Sequence, residues 1–221
     1  QIDACIAAVN QVLKDPVTGG LRLNSDFKTP LLQMGRAFSF NYGDKENGAV
    51  FSHMVVLWMS ALYRRRYSRA AYEVFKSLSG LALHSGQSKI FPGLPEYFNA
   101  EGRGRYAYLT GSASWLLLVV VTQMFGVRGT YGDLCLQPQL EPEQFNDRHE
   151  ASIETRFAGL TLQINYLNSE RRSAEHYAVS RVYCNDRPLI CQINDSGGAV
   201  IRREDLKALG ASTLRFRVEL N

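Results

Sequence analysis

The feature that most restricts how this chain can fold is a change of hydrophobic period near residue 130. Ahead of it, apolar residues recur at three-and-four spacing: Ile2, Cys5, Ile6, Val9, Val12 and Leu13 mark one helix. Met54, Val55, Leu57, Trp58 and Ala61 mark a second, and Ala71, Tyr72, Val74, Phe75 and Leu78 a third. Such spacing places one apolar face on each helix. Behind residue 130 the pattern alternates instead. Segments 152–157 and 160–166 flank Ala158-Gly159 as a predicted hairpin, and 178–183, 188–193 and 214–220 are further predicted strands. Residues 201–209 predict one short helix. A helical half followed by a strand-rich half is an α+β chain, with a predicted boundary between residues 1–130 and an antiparallel β-sandwich over 131–221.

Several function classes drop out on composition. Twenty-five basic against 21 acidic residues leave a net charge of +4, and only Arg64-Arg65-Arg66 is a cluster. That triplet ends an apolar helix, where cations suit the dipole, so no nucleic-acid partner is implied. Cys5, Cys135, Cys184 and Cys191 lack metal-ligand spacing, so no metal is expected. Cys5 on an apolar face and Cys135 between leucines are expected to be buried free thiols in a reducing cytoplasm. No apolar run has the length of a membrane span. The chain opens inside a helical pattern, without a cap or a methionine, and is read as a piece of something longer.

Two helix starts hold the polar residues that matter. Residues 108–115 read Tyr-Leu-Thr-Gly-Ser-Ala-Ser-Trp ahead of the apolar run 116–121, and Gly126 supplies a stop. A helix opening on Thr110-Gly111-Ser112 offers N–H groups, hydroxyls and the positive dipole end at one point, which suits an anion. His53 lies near the start of the second helix, seven residues after Glu46. The aromatic loop 21–45 and the Gly/Pro-rich stretch 80–105 precede these two starts and are expected to rim one pocket.

Glu46-Asn47-Gly48-Ala49-Val50-Phe51-Ser52-His53, Pro95-Glu96-Tyr97-Phe98-Asn99 and the block 108–115 together resemble the inverting glycoside phosphorylases, the family of cellobiose and chitobiose phosphorylases. Stretches 45–54 and 102–115 most resemble the branch acting on β-1,2-linked glucooligosaccharides. The resemblance implies that 1–130 are the last helices and loops of an (α/α)6 catalytic barrel, followed by a jelly-roll-like sandwich. It further implies phosphate held by His53, Thr110 and Gly111, and sugar hydroxyls contacted by Glu46. The family's general acid and a phosphate-holding arginine have no matching motif here, so no catalytic residue is assigned in this chain. It is expected to turn over nothing alone. Inorganic phosphate is then a co-substrate and no cofactor is implied. The partners are the oligosaccharide, the remainder of the same polypeptide or barrel and, dimers being common in that family, a second copy. The rival readings are a barrel-type glycoside hydrolase, a cyclic glucan synthase domain and a non-catalytic carbohydrate-binding fragment.

Overall fold

The computed structural model describes residues 1–91, 93–107 and 110–221. Two compact units divide the chain. One comprises Gln1–Leu62 and Ala70–Leu117, the other Tyr63–Arg69 and Leu118–Asn221. The sequence-based boundary near residue 130 falls inside the second.

The first unit holds helix α1 (Ile2–Val12) and most of α2 (Ser52–Arg64) and α3 (Ser68–Leu83). It also holds the short α4 (Ser85–Ser88) and the start of α5 (Gly111–Val119). In α3, Ala71, Val74, Leu78 and Leu81 are buried, the stripe a helix presents at three-and-four spacing. Val55, Val56, Met59 and Leu62 do the same for α2, whereas Met54, Leu57 and Ala61, expected on its apolar face, are exposed: the buried stripe is turned from the one the spacing marks. Full burial of each valine, leucine or methionine in these two buried stripes contributes roughly 1.5–3 kcal/mol. Helix α1 differs from expectation: none of its residues is buried and Cys5 is exposed. Its apolar stripe is real, but a stripe shows only that a face is apolar, not that a partner covers it.

Between these helices lies a small sheet that the sequence does not announce: β1 (Val50–Phe51), β2 (Tyr97–Phe98) and β3 (Gly104–Arg105), in that order. Each strand has two residues, too short for alternation to register. Phe51 pairs with Tyr97, and Tyr97 with Arg105.

After α5 the helix continues as a π-helical turn over Val120–Met124. It stops at Gly126, whose φ of 67° and close approach to the Gln137 carbonyl admit no side chain. The second unit then carries β4 (Val127–Thr130), β5 (Asp133–Leu136), β6 (Glu150–Phe157), β7 (Leu160–Leu167) and β8 (Val179–Cys184). Short strands β9 (Arg187–Pro188), β10 (Gln192–Ile193) and β11 (Ala199–Ile201), helix α6 (Arg203–Ala208) and β12 (Thr213–Leu220) complete it. Ala158-Gly159 turns the β6–β7 hairpin, both residues at positive φ, as the hairpin pattern predicts.

The sheets run β10-β11-β5-β4 and β6-β7-β12-β8-β9. The larger one is not purely antiparallel: β12 lies between β7 and β8, parallel to the first and antiparallel to the second. Two parallel strands need a long connection, and residues 168–212 supply it. Leu214, Phe216, Val218 and Leu220 of β12 and Leu162, Ile164 and Tyr166 of β7 are buried, and the Tyr166 hydroxyl donates to the Phe125 carbonyl at 2.7 Å. Among the described residues no helix is long and apolar enough to cross a membrane, and no three His, Cys, Asp or Glu side chains could hold a metal ion together.

Glu141, buried at the start of a short 3₁₀ turn, has its Oε2 3.9 Å from Arg69 Nη1, while Oε1 has no hydrogen-bond partner among the described residues. Burial raises its carboxyl above the ordinary 4.5, outweighing the pull of Arg69. The folded chain therefore holds this proton more tightly than the unfolded one. The resulting stability is full below about 4.5 and is lost as pH rises through the folded pKa. Glu141→Gln should accordingly melt higher than wild type at pH 7, with the gap closing towards pH 4.5. Thermal denaturation across that range checks it; a variant less stable at pH 7 would contradict it.

Candidate functional site

The candidate site is assembled from a buried charge outward. Asp15, just past α1, accepts from the Thr18 amide (2.9 Å), the Thr18 hydroxyl (2.6 Å) and Arg22 Nη2 (2.9 Å). Burial alone would raise its carboxyl, but these donors outweigh it and hold it below its ordinary value. Arg22 also donates through Nη1 to the Gly48 carbonyl at 2.8 Å and lies 5.2 Å from the Tyr42 ring centroid. Asn24 continues the strap, its Oδ1 accepting from the Gly48 amide at 2.9 Å. Gly48 is required twice over. Its φ is 76°, and a Cβ there would lie 2.2 Å from Tyr42 Cε2.

This strap fixes the turn 44–47. The Gly43 amide donates to Asn47 O at 2.6 Å and the Asn47 amide to Asp44 O at 3.0 Å, so Lys45 and Glu46 project from the tip. Lys45 stands at a φ of 46°, a conformation non-glycine residues seldom adopt. Its ammonium is 5.0 Å from the ring centroids of both Phe40 and Tyr106. Glu46 places Oε1 3.6 Å from Arg36 Nε, while Oε2 is buried without a hydrogen-bond partner among the described residues.

From the turn the chain enters β1 and then α2, which puts His53 on the first turn of the helix. The Ser52 amide donates to the Glu96 carbonyl at 2.9 Å, tying this start to the ribbon. The His53 ring meets Trp115 edge to face, with centroids 4.9 Å apart. A Cβ built on Gly111 would lie 3.3 Å from His53 Cε1 and 3.6 Å from Nε2, so the imidazole sits over the first residue of α5. His53 Nε2 is buried and has no hydrogen-bond partner among the described residues. The other three histidines do have partners: His84 meets Gln87, His149 the Ser169 carbonyl and His176 Ser173.

Thr110 caps α5, its Oγ1 accepting from the Ser112 amide at 3.2 Å. That oxygen is also 2.5 Å from Ser112 Oγ, and Ser112 Oγ lies 3.4 Å from the Pro95 carbonyl. When the Ser112 proton points to Thr110, the Thr110 proton is left to donate outward. The structure thus brings His53, Thr110 and Gly111 to one helix start and holds Glu46 at a separate turn tip. Tyr108 and Leu109 of the same block lie outside the described residues.

Beside the turn opens a cavity of about 580 Å³, lined among others by Phe40, Asp44, Lys45, Tyr97, Arg105 and Tyr106. Rings continue across the ribbon towards His53, with Phe51 stacked on Tyr97 at 6.0 Å and Tyr97 against Tyr106 at 6.1 Å. Burial, then the charge of Asp44, push the Tyr97 phenol above its ordinary value, so it stays a neutral donor. Aromatic faces with charged and amide groups at their edges suit a sugar ring, whose C–H face is apolar and whose rim is hydroxyl. Sequence reasoning missed Arg22, Asn24, Lys45 and Tyr106. Only Lys45, adjoining the Glu-Asn-Gly block, carried a usable signal.

No family model matches the chain. It is similar to the cellobionic acid phosphorylase of Neurospora crassa, with 25% identity over 183 residues. The match covers 75% of this chain and 22% of that protein, so the chain spans about a fifth of its relative's length.

The contact between Gly111 and His53 yields a direct test. A methyl group 3.3 Å from Cε1 obliges the ring to shift by a few tenths of an ångström, while alanine suits a helix start at least as well as glycine. Gly111→Ala should therefore keep the melting temperature of wild type and move the His53 ring-proton resonances, which the Trp115 ring current dominates. Unmoved resonances would mean that the imidazole does not lie over Gly111.

Proposed function

We propose that this chain is the C-terminal, phosphate-holding and sugar-contacting part of an inverting glycoside phosphorylase. In this reading the helices of residues 1–130 belong to an (α/α)6 barrel, and 131–221 to a jelly-roll-like sandwich behind it. The complete enzyme converts a β-linked glucooligosaccharide, of the β-1,2 series by motif, and phosphate into α-glucose 1-phosphate and a shortened sugar. A cytoplasmic setting goes with a sugar phosphate product. The observation that carries the reading is the buried Nε2 of His53, without a partner among the described residues, beside Gly111 at the start of α5 that Thr110 caps. Similarity to a phosphorylase over 183 residues supports it.

The chemistry accounts for the residue types. Inverting hydrolysis needs one carboxyl group as acid and a second as base to activate water. Phosphate is an anion already and needs no base. It needs to be held against the sugar, and amides, a hydroxyl and an imidazole do that without repelling it. A phosphate oxygen then bonds to the anomeric carbon opposite the departing sugar. The glycosidic C–O bond breaks, and its oxygen takes a proton from a general acid that the rest of the enzyme supplies. Glu46 holds sugar hydroxyls meanwhile. A hydrolase would place its base where Thr110, Gly111 and Ser112 stand.

Calorimetric titration of the chain with inorganic phosphate tests this. One saturable site is expected, and His53→Ala and Thr110→Val should each weaken it about ten- to a hundredfold, since hydrogen bonds to charged groups contribute roughly 1.5–3 kcal/mol. The chain alone should release no glucose 1-phosphate from glucooligosaccharides, because proton donation alone is typically worth 10²–10⁴-fold. Variants that bind phosphate like wild type would overturn the assignment.

A further inference from the structure

The second unit holds a cavity of about 350 Å³ built entirely from its own residues, a size that suits a small ligand. Phe157 and Leu160 come to it from the two sides of the β6–β7 turn, Gly132 from the β4–β5 turn, and Arg203, Leu206 and Lys207 from α6. Positions 203, 206 and 207 share one face of a helix, so two cations flank one apolar side chain. Leu206 is 4% exposed and anchors that face to the fold, while Arg203 and Lys207 reach solvent.

The walls are held in place. A Cβ built on Gly129 would lie 3.1 Å from Phe157 Cε2, so β4 supports one edge of the ring. A Cβ on Gly132 would lie 3.4 Å from Arg203 Cδ, so the stem of the arginine runs along the β4–β5 turn. The Arg203 amide donates to Asp133 Oδ1 at 2.8 Å, which fixes the entry to α6.

The charges, by contrast, are left over. Among the described residues no acidic side chain lines the cavity, and neither the Arg203 guanidinium nor the Lys207 ammonium forms an ion pair. Asp205, on the same helix, is engaged by Arg202 Nε at 3.1 Å. Like charges four residues apart on a helix repel each other, and an anion between them would relieve that repulsion. A guanidinium fork holds a carboxylate through two parallel bonds. The apolar wall of Phe157, Leu160 and Leu206 disfavours a strongly hydrated ion and favours one that carries an apolar body.

We propose that this cavity binds a small aryl carboxylate, its carboxylate bridging Arg203 and Lys207 and its ring lying against Phe157, Leu160 and Leu206. The site is independent of the phosphorylase reading. It is built from residues 129–211 and stands whether or not His53 and Gly111 hold phosphate.

The test adds phenylacetate to the whole chain and follows the methyl resonances of Leu160 and Leu206, which the ring of the probe would shift. One saturable profile is expected. Phenylacetamide keeps the ring without the charge, and acetate keeps the charge without the ring. Each should bind at least about tenfold more weakly, the loss expected of a charge-assisted contact or of a buried ring. Arg203→Gln and Lys207→Gln should each weaken phenylacetate about tenfold. Both side chains are exposed, and circular dichroism verifies that the variants fold. Methyl resonances that do not move, or either analogue binding as tightly as phenylacetate, would overturn the proposal on wild type alone. Undiminished binding by the two variants would place the probe elsewhere and overturn it as well.

Discussion

Three stretches of the first unit converge on the guanidinium of Arg22. The end of α1 reaches it through Asp15, the Glu-Asn-Gly turn through the Gly48 carbonyl, and the aromatic loop through the Tyr42 ring. A cation this deeply placed is tolerable only because its partner carboxylate is fully supplied with donors and its remaining nitrogen finds a carbonyl. Removing either partner would leave a buried charge uncompensated, a loss of several kcal/mol by the usual behaviour of such pairs. The turn that projects Lys45 and Glu46 would then lose its anchor, since Gly48 hangs from Arg22 on one side and Asn24 on the other. The candidate site depends on a strap that contains none of its chemistry.

Much of the architecture was legible from residue order. The α5 run was located by its capping residues and the Gly126 stop, with Trp115, Leu117 and Leu118 exposed. Periodicity located α3 and the extent of α2, because a helical face repeats every three or four residues, although Met54 and Leu57 of the face read for α2 are exposed. Ala158-Gly159 and the alternation of β7 and β12 located the central strands for the same kind of reason. Two features escaped. The ribbon β1–β2–β3 is made of two-residue strands, and β1 joins β2 across 46 or more positions of chain, as in Val50 paired with Phe98, so no local pattern encodes that pairing. The parallel placement of β12 beside β7 escaped too, because alternation shows which face of a strand is buried but not which way its neighbour runs. Cys5 shows the converse limit, an apolar helical face that remains exposed.

For the candidate site, the motif resemblance pointed to His53, Thr110 and Gly111, and the fold sets the imidazole over the glycine. What the motif could not convey is why glycine stands there. Any side chain at 111 would push on the imidazole, so the small residue at the helix start and the histidine of another helix belong to one arrangement. The hydroxyl pair of Thr110 and Ser112 completes the cap with neutral groups only. Helix amides, hydroxyls and an imidazole nitrogen, with no carboxylate among them, form a surface that favours an anion.

The central claim is that His53 Nε2 faces a bound phosphate at the start of α5. It is tested most directly by following the side-chain nitrogen resonances of all four histidines while inorganic phosphate is added. The account expects His53 Nε2 to shift with a saturating profile while His84, His149 and His176, each already engaged elsewhere, stay in place. If all four moved together in proportion to salt, or if His53 did not move, the helix start would be an ordinary cap and the phosphate assignment would be contradicted.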